Sequence, residues 1–113
     1  MVNLLIADDH PLYRDALKGA LYMAFSDLNI LESGDLNETV KVLHEHDVDL
    51  LLLDLHMPGS SDLFGLLHIQ KTFPDLPIAV VSGTEDASLI SKVIGVGAML
   101  GSKSNTLMRT SLY

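Results

Sequence analysis

Residues 49–59 read DLLLLDLHMPG: four leucines in a row, an aspartate on each side, and a Met57-Pro58-Gly59 turn close behind. An unbroken apolar run of this length suits a strand covered on both faces, as in a parallel sheet flanked by helices. Two further runs repeat the signal, Val2–Ala7 and Ile78–Val81, beside Leu50–Leu53 itself. Weaker strands are expected at Leu28–Glu32 and Ala98–Gly101. Helix-spaced segments fall between them. Pro11–Ala24 sets Leu12, Ala16, Ala20 and Ala24, with Leu17 and Leu21, along one stripe. Leu36–His46 presents Leu36, Val40 and Leu43, with Asp35 placed as N-cap. Leu63–Phe73 offers Leu63, Leu66, Leu67 and Ile69 and stops at Pro74. Asp86–Ile94 offers Leu89, Ile90, Val93 and Ile94 before Gly95 and Gly97 break it. A short closing helix at Asn105–Tyr113 completes the order βαβαβαβαβα. Strands alternating with helices imply right-handed crossovers and one parallel sheet, so 1–113 is expected to form a single three-layer α/β domain.

Composition narrows the function. The chain has 113 residues and a formal net charge of −8, and 48% of it is hydrophobic, enough for a core in one domain. An acidic balance of that size argues against direct binding to nucleic acid, which needs a basic face. With no cysteine, disulfides, thiolate metal sites and cysteine nucleophiles are excluded. The opening MVNLLIADDHP lacks the basic start of a signal peptide, and no apolar run reaches the roughly 20 residues of a membrane span. The expectation is a cytoplasmic domain that makes no use of a membrane.

In open doubly wound sheets, ligands bind beyond the C-terminal ends of the strands. The residues there carry chemistry. Asp8, Asp9 and His10 follow the first strand, and Asp54, Leu55 and His56 the third. Ser82, Gly83 and Thr84 follow the fourth, and Ser102 and Lys103 the fifth. Each has a bland explanation alone. An Asp-Asp pair is often a turn with an N-cap, and Asp9 or His10 ahead of Pro11 fits that. A lone Ser after a strand is usually a cap, and a lone Lys is usually solvated. The ordered set reverses that weighting. Three carboxylates crowded at neighbouring strand ends need a cation, and Mg2+ with oxygen ligands fits best. Lys103 and Ser82 would then serve a phosphate, and Asp54 is the best placed nucleophile for phosphoryl transfer.

Four stretches, LLIADDHPLYRDALKGAL, DLLLLDLHMPG, PDLPIAVVSGTED and GAMLGSKS, resemble the receiver domains of two-component response regulators. The ADDHPLYRDAL phrasing is similar to the NarL/LuxR-type subgroup, and the resemblance spans positions 2 to 104. It implies a flavodoxin-like fold with strand order 2-1-3-4-5, phosphorylated on an aspartate by a sensor histidine kinase. Asp54 resembles the phosphoacceptor. Asp8 and Asp9 match the acidic pair, Asp9 touching Mg2+ directly and Asp8 through water, with the His56 backbone carbonyl completing the protein ligands. Ser82 stands at the switching Ser/Thr position and Lys103 at the phosphate-pairing lysine, while His56 and Thr84 flank the phosphoryl group. The only enzyme-like chemistry implied is the domain's own phosphorylation and dephosphorylation. A homodimer through the last helices and the fifth strand is a further expected partnership.

The chain departs from the family pattern near its end. Met99-Leu100-Gly101-Ser102-Lys103 puts Leu100 where receivers commonly carry an aromatic. The alternative reading is therefore a pseudo-receiver, an interaction module with impaired phospho-switching. Asp62 also replaces a common glycine after the turn. NarL/LuxR-type proteins continue into a helix-turn-helix domain that this chain lacks, so truncation of a longer regulator is preferred, with DNA reached only through the absent part. An aspartate-nucleophile phosphatase would want a D-x-D after the first strand, where this chain has Asp8-Asp9-His10. GAMLGSKS is not a P-loop, because Ser102 separates Gly101 from Lys103. His44 and His46, two apart on a helix, fall on different faces and make poor metal ligands.

Overall fold

In the computed structural model, the described residues are 1–54, 63–81, 94–98 and 110–112. The four leucines do form a strand, β3 (Leu50–Asp54), buried along its whole length. Side chains alternate across a strand, so one apolar run serves two cores. Leu50 and Leu52 join one buried cluster, and Leu51 and Leu53 the other. The strand β1 (Val2–Ala7) divides the same way, Leu4 and Ile6 to the first side and Leu5 and Ala7 to the second. So does β4 (Ile78–Val81), with Ala79 opposite Ile78 and Val80. Continuous hydrophobicity was needed because neither face meets water.

With β2 (Leu28–Ser33) and β5 (Thr110–Leu112), these strands make a five-stranded sheet in the order β2-β1-β3-β4-β5. Every pairing is parallel, which is the flavodoxin-like arrangement expected. The helix α1 (Pro11–Ala24) covers one face through Leu17 and Leu21. The helices α2 (Leu36–Glu45) and α3 (Leu63–Thr72) cover the other through Leu43, Leu66 and Ile69. None of the helices among the described residues is long and apolar enough to cross a membrane.

Local chemistry sets the helix ends. Pro11 takes the first position of α1, where its missing N–H costs nothing. Asp35 caps α2 as expected, its Oδ1 accepting from the Glu38 backbone N–H at 2.7 Å, while Glu38 Oε1 accepts from the Gly34 N–H at 2.6 Å. The stripes were read too broadly. Leu12 is 85% exposed and Leu67 55% exposed, because only the middle of each stripe faces the sheet.

The C-terminal third departs most from expectation. Ala98 was placed in a strand, yet residues 94–98 are helical. Gly95 and Gly97 do not end that helix. Val96 buries itself in the α1-side core, and a Cβ on Gly97 would come within 3.2 Å of the Phe25 ring. Packing outweighs the roughly 1 kcal/mol that a glycine costs in a helix. The closing helix expected at Asn105–Tyr113 is also corrected. Thr110–Leu112 pairs with β4 in the register Ile78–Thr110, Ala79–Ser111 and Val80–Leu112, so β5 lies later in the chain than Ala98–Gly101. Residues 99–101, the rest of the expected strand, lie outside the described residues.

Candidate phosphoacceptor and metal site

The parallel register delivers the acids to one edge. Ala7 of β1 pairs with Leu53 of β3, so Asp8 and Asp54 stand one step further along neighbouring strands. The Asp8 backbone N–H extends the β1–β2 ladder to the Ser33 carbonyl at 3.0 Å, and only then does the chain turn. Asp54 ends β3 itself, opposite Val81 of β4. Both carboxylates are buried, at 6% and 3% exposure. Asp9 is half-buried and starts the turn into α1.

Asp8, Asp9, His10 and Asp54 each offer a ligand atom, and those atoms lie within 4.8 Å of one another. The three acids are the ones the sequence assigned. The fourth residue, His10, was not assigned. It is the N-cap residue of α1 but makes no capping bond with its side chain. Its backbone N–H donates to Asp8 Oδ1 at 2.8 Å, and its Nδ1 lies 3.0 Å from the same oxygen. Nδ1 is also 3.0 Å from Asp9 Oδ1. That second contact is close enough for an ion pair but is not aligned as a hydrogen bond, so Asp9 Oδ1 is buried without a hydrogen-bond partner among the described residues. The hydrogen bond to Asp8, then the charges of Asp9 and Asp8, raise the His10 pKa above its ordinary value.

Two more α1 residues support the edge. Arg14 Nη1 donates to the Asp8 carbonyl oxygen at 2.6 Å, and its Nε donates to Glu32 Oε1 at 3.2 Å. Lys18 Nζ donates to the other Glu32 oxygen at 2.8 Å. The end of β2 is tied to Asp8 through Arg14. Tyr13 shares a narrow cleft with Asp8 and Asp54. Burial first, then those two charges, pushes its hydroxyl up to about 12, so it stays a neutral phenol. The signal for Arg14 and Tyr13 was their place in the first turn of a helix that follows the acids; periodicity alone does not read it.

A larger depression of about 420 Å³, between Leu43, His46, Phe73 and Pro74, lies at the opposite end of the sheet. Its size does not make it the reactive site, because no carboxylate cluster lies there among the described residues. His44 packs against Phe73 with the rings tilted by 58° and their centroids 4.9 Å apart. His56, Ser82, Thr84, Leu100 and Lys103 lie outside the described residues.

An orphaned buried oxygen beside two further buried carboxylates is the donor set of a hard divalent cation, and Mg2+ fits it. Residues 4–100 match the family model of the response regulator receiver domain. The chain is 37% identical over 100 residues to the glycerol metabolism activator of Pseudomonas putida, covering 88% of this chain and 45% of that protein. It is 28% identical to the nitrate/nitrite response regulator protein NarP of Escherichia coli, covering 85% and 45%. Among solved structures, RcsB from Salmonella enterica serovar Typhimurium, bound to a promoter in the presence of a phosphomimetic, superposes with a TM-score of 0.69. That similarity has 25% identity and covers 99% of this chain and 53% of that one. The chain thus spans about half the length of the curated relatives it matches. The match runs through the acidic edge, and the chain belongs to the response regulator receiver domains of two-component systems, with NarL/LuxR-type regulators among its relatives.

Proposed function

We propose that the chain accepts a phosphoryl group on Asp54 from a sensor histidine kinase, with Mg2+ held at the same edge. The observation that carries this reading is the convergence of Asp8, Asp9 and Asp54 on one point, two of them buried. Buried like charges raise each other's energy, and a bound cation relieves them. Asp8, Asp9 and Asp54 would hold the ion, with the His56 backbone carbonyl. The ion supplies charge neutralisation for the incoming phosphoryl oxygens.

The chain's own residues do the rest. β3 fixes Asp54 so that one carboxylate oxygen can approach phosphorus in line with the leaving imidazole. The new O–P bond forms as the P–N bond of the kinase phosphohistidine breaks, leaving an aspartyl phosphate and a free histidine. Lys103 would pair with the phosphoryl oxygens and Ser82 would donate a hydrogen bond to them, both by resemblance to the family. Hydrolysis returns the carboxylate, so turnover is confined to the domain's own phosphate. The output is transcription regulation through a DNA-binding domain beyond this chain, as the promoter-bound RcsB suggests for its own group.

Incubation with Mg2+ and a small phosphodonor, followed by intact mass, tests this. One phosphoryl adduct is expected in the wild type and none in Asp54→Asn or after chelation of Mg2+. An equal adduct in Asp54→Asn would overturn the assignment.

A further inference from the structure

Alternation along the strands sends both buried acids to one face of the sheet. Leu52 of β3 and Ile6 of β1 pack into the α1-side core, so Asp54 and Asp8, two residues further on, leave the sheet on that same face. Tyr13, in the first turn of α1, stands there and packs against the same core. Tyr13, Leu17, Ile6 and Leu52 enclose a cleft with Asp8 and Asp54 that has no volume a water molecule could occupy. Leu17, one turn after Tyr13 on the same side of α1, is fully buried and seats this part of the helix on the sheet. The Arg14 bond to the Asp8 carbonyl oxygen, at 2.6 Å, ties the same turn to the end of β1. Burial and the two neighbouring charges keep the phenol neutral, so it adds no charge to the acids.

We propose that the Tyr13 ring keeps water from the carbonyl carbon of phosphorylated Asp54, so that the aspartyl phosphate is hydrolysed only at phosphorus and the phosphorylated state lasts longer. The inference rests on the phosphoacceptor reading above and deepens it. An aspartyl phosphate has two electrophilic atoms. Water attacking phosphorus forms a new P–O bond and breaks the P–O bond to Asp54, and the solvent oxygen leaves in inorganic phosphate. Water attacking carbon forms a new C–O bond and breaks the C–O bond to the phosphoryl group, and the solvent oxygen stays in Asp54. Both routes return a carboxylate, inorganic phosphate and a proton. The first route is open from the rim, where the His10 side chain is 68% exposed. The second needs water in the cleft, and a cleft closed by Tyr13 removes it.

Phosphorylation and hydrolysis of the whole chain in water labelled with heavy oxygen, with Mg2+ and a small phosphodonor, followed by tandem mass spectrometry, test this. Asp54 should stay unlabelled in the wild type and in Tyr13→Phe, which keeps the ring. Tyr13→Ala should gain label at Asp54 and lose its phosphoryl group several-fold faster. Tyr13→Leu, which keeps an apolar side chain against the core without the ring, should do the same to a smaller extent and carries the test if Tyr13→Ala does not fold. Label at Asp54 in the wild type, or none there in a folded variant that lacks the ring, would overturn the role of Tyr13 and leave the phosphoacceptor reading standing. A wild type that takes no phosphoryl group would overturn both. Lost stability alone does not put solvent oxygen into Asp54, so the isotope separates shielding from packing.

Discussion

Arg14 shows how much a single side chain outside the ligand set can control. Its guanidinium bridges the Glu32 carboxylate on β2 and the carbonyl of Asp8, the first acid of the cluster. Hydrogen bonds to charged groups contribute about 1.5–3 kcal/mol, so Arg14→Ala should destabilise the fold by an amount of that order. It should also weaken Mg2+ binding, because the Asp8 backbone loses its anchor. Paired denaturant titrations and Mg2+ titrations of Arg14→Ala and Arg14→Lys would measure both effects. At this scale the sequence was legible for Asp8, Asp9 and Asp54, each standing at the end of an apolar run that names its own strand. His10 and Arg14 were not legible, since the turn into α1 folds them back on the acids and no spacing rule encodes that curl.

The elements are joined by charge as well as by packing. Glu32 of β2 receives Lys18 and Arg14 from α1, and the Lys18 hydrogen bond leads the effects that lower its pKa below 4.5. A carboxylate with a depressed folded-state pKa adds stability above its unfolded value and loses it as the pH falls through the folded one. Stability should therefore fall on acidification below 4.5, and Glu32→Gln should flatten that acid limb in denaturant titrations across the range. The cap on α2 gives a second test: Asp35→Ala should cost about 1 kcal/mol, read by thermal melting. The elements β1, β3 and β4 could be read from their unbroken apolar runs. The fifth strand could not. Thr110–Leu112 is three residues long, too short for any periodicity, while the helix at 94–98 runs through two glycines that normally end one. Tertiary packing of Val96 and Phe25 supplies what the local sequence lacks.

Across the whole molecule, a sheet buried on both faces carries a cluster of negative charge at one rim. The core is the source of rigidity. Leu52, fully buried between β1, β3 and α1, should cost about 2–5 kcal/mol as Leu52→Ala. Met23, 91% exposed, should change stability by no more than about 0.5 kcal/mol as Met23→Ala. The rim brings three carboxylates together. Added Mg2+ at about 100 times its Kd should therefore raise the unfolding free energy by about 2.7 kcal/mol, and removal of an acid ligand should abolish that gain. The net charge of −8 has a local meaning at this scale, because three of the acids converge on one point that a cation can occupy. Reduction of the phosphodonor-treated, Mg2+-loaded chain with borohydride traps an aspartyl phosphate as homoserine, which tandem mass spectrometry can place in the sequence. Homoserine at position 54, and at neither Asp8 nor Asp9, is the result expected; an unmodified Asp54, or trapping at either member of the acidic pair, would contradict it.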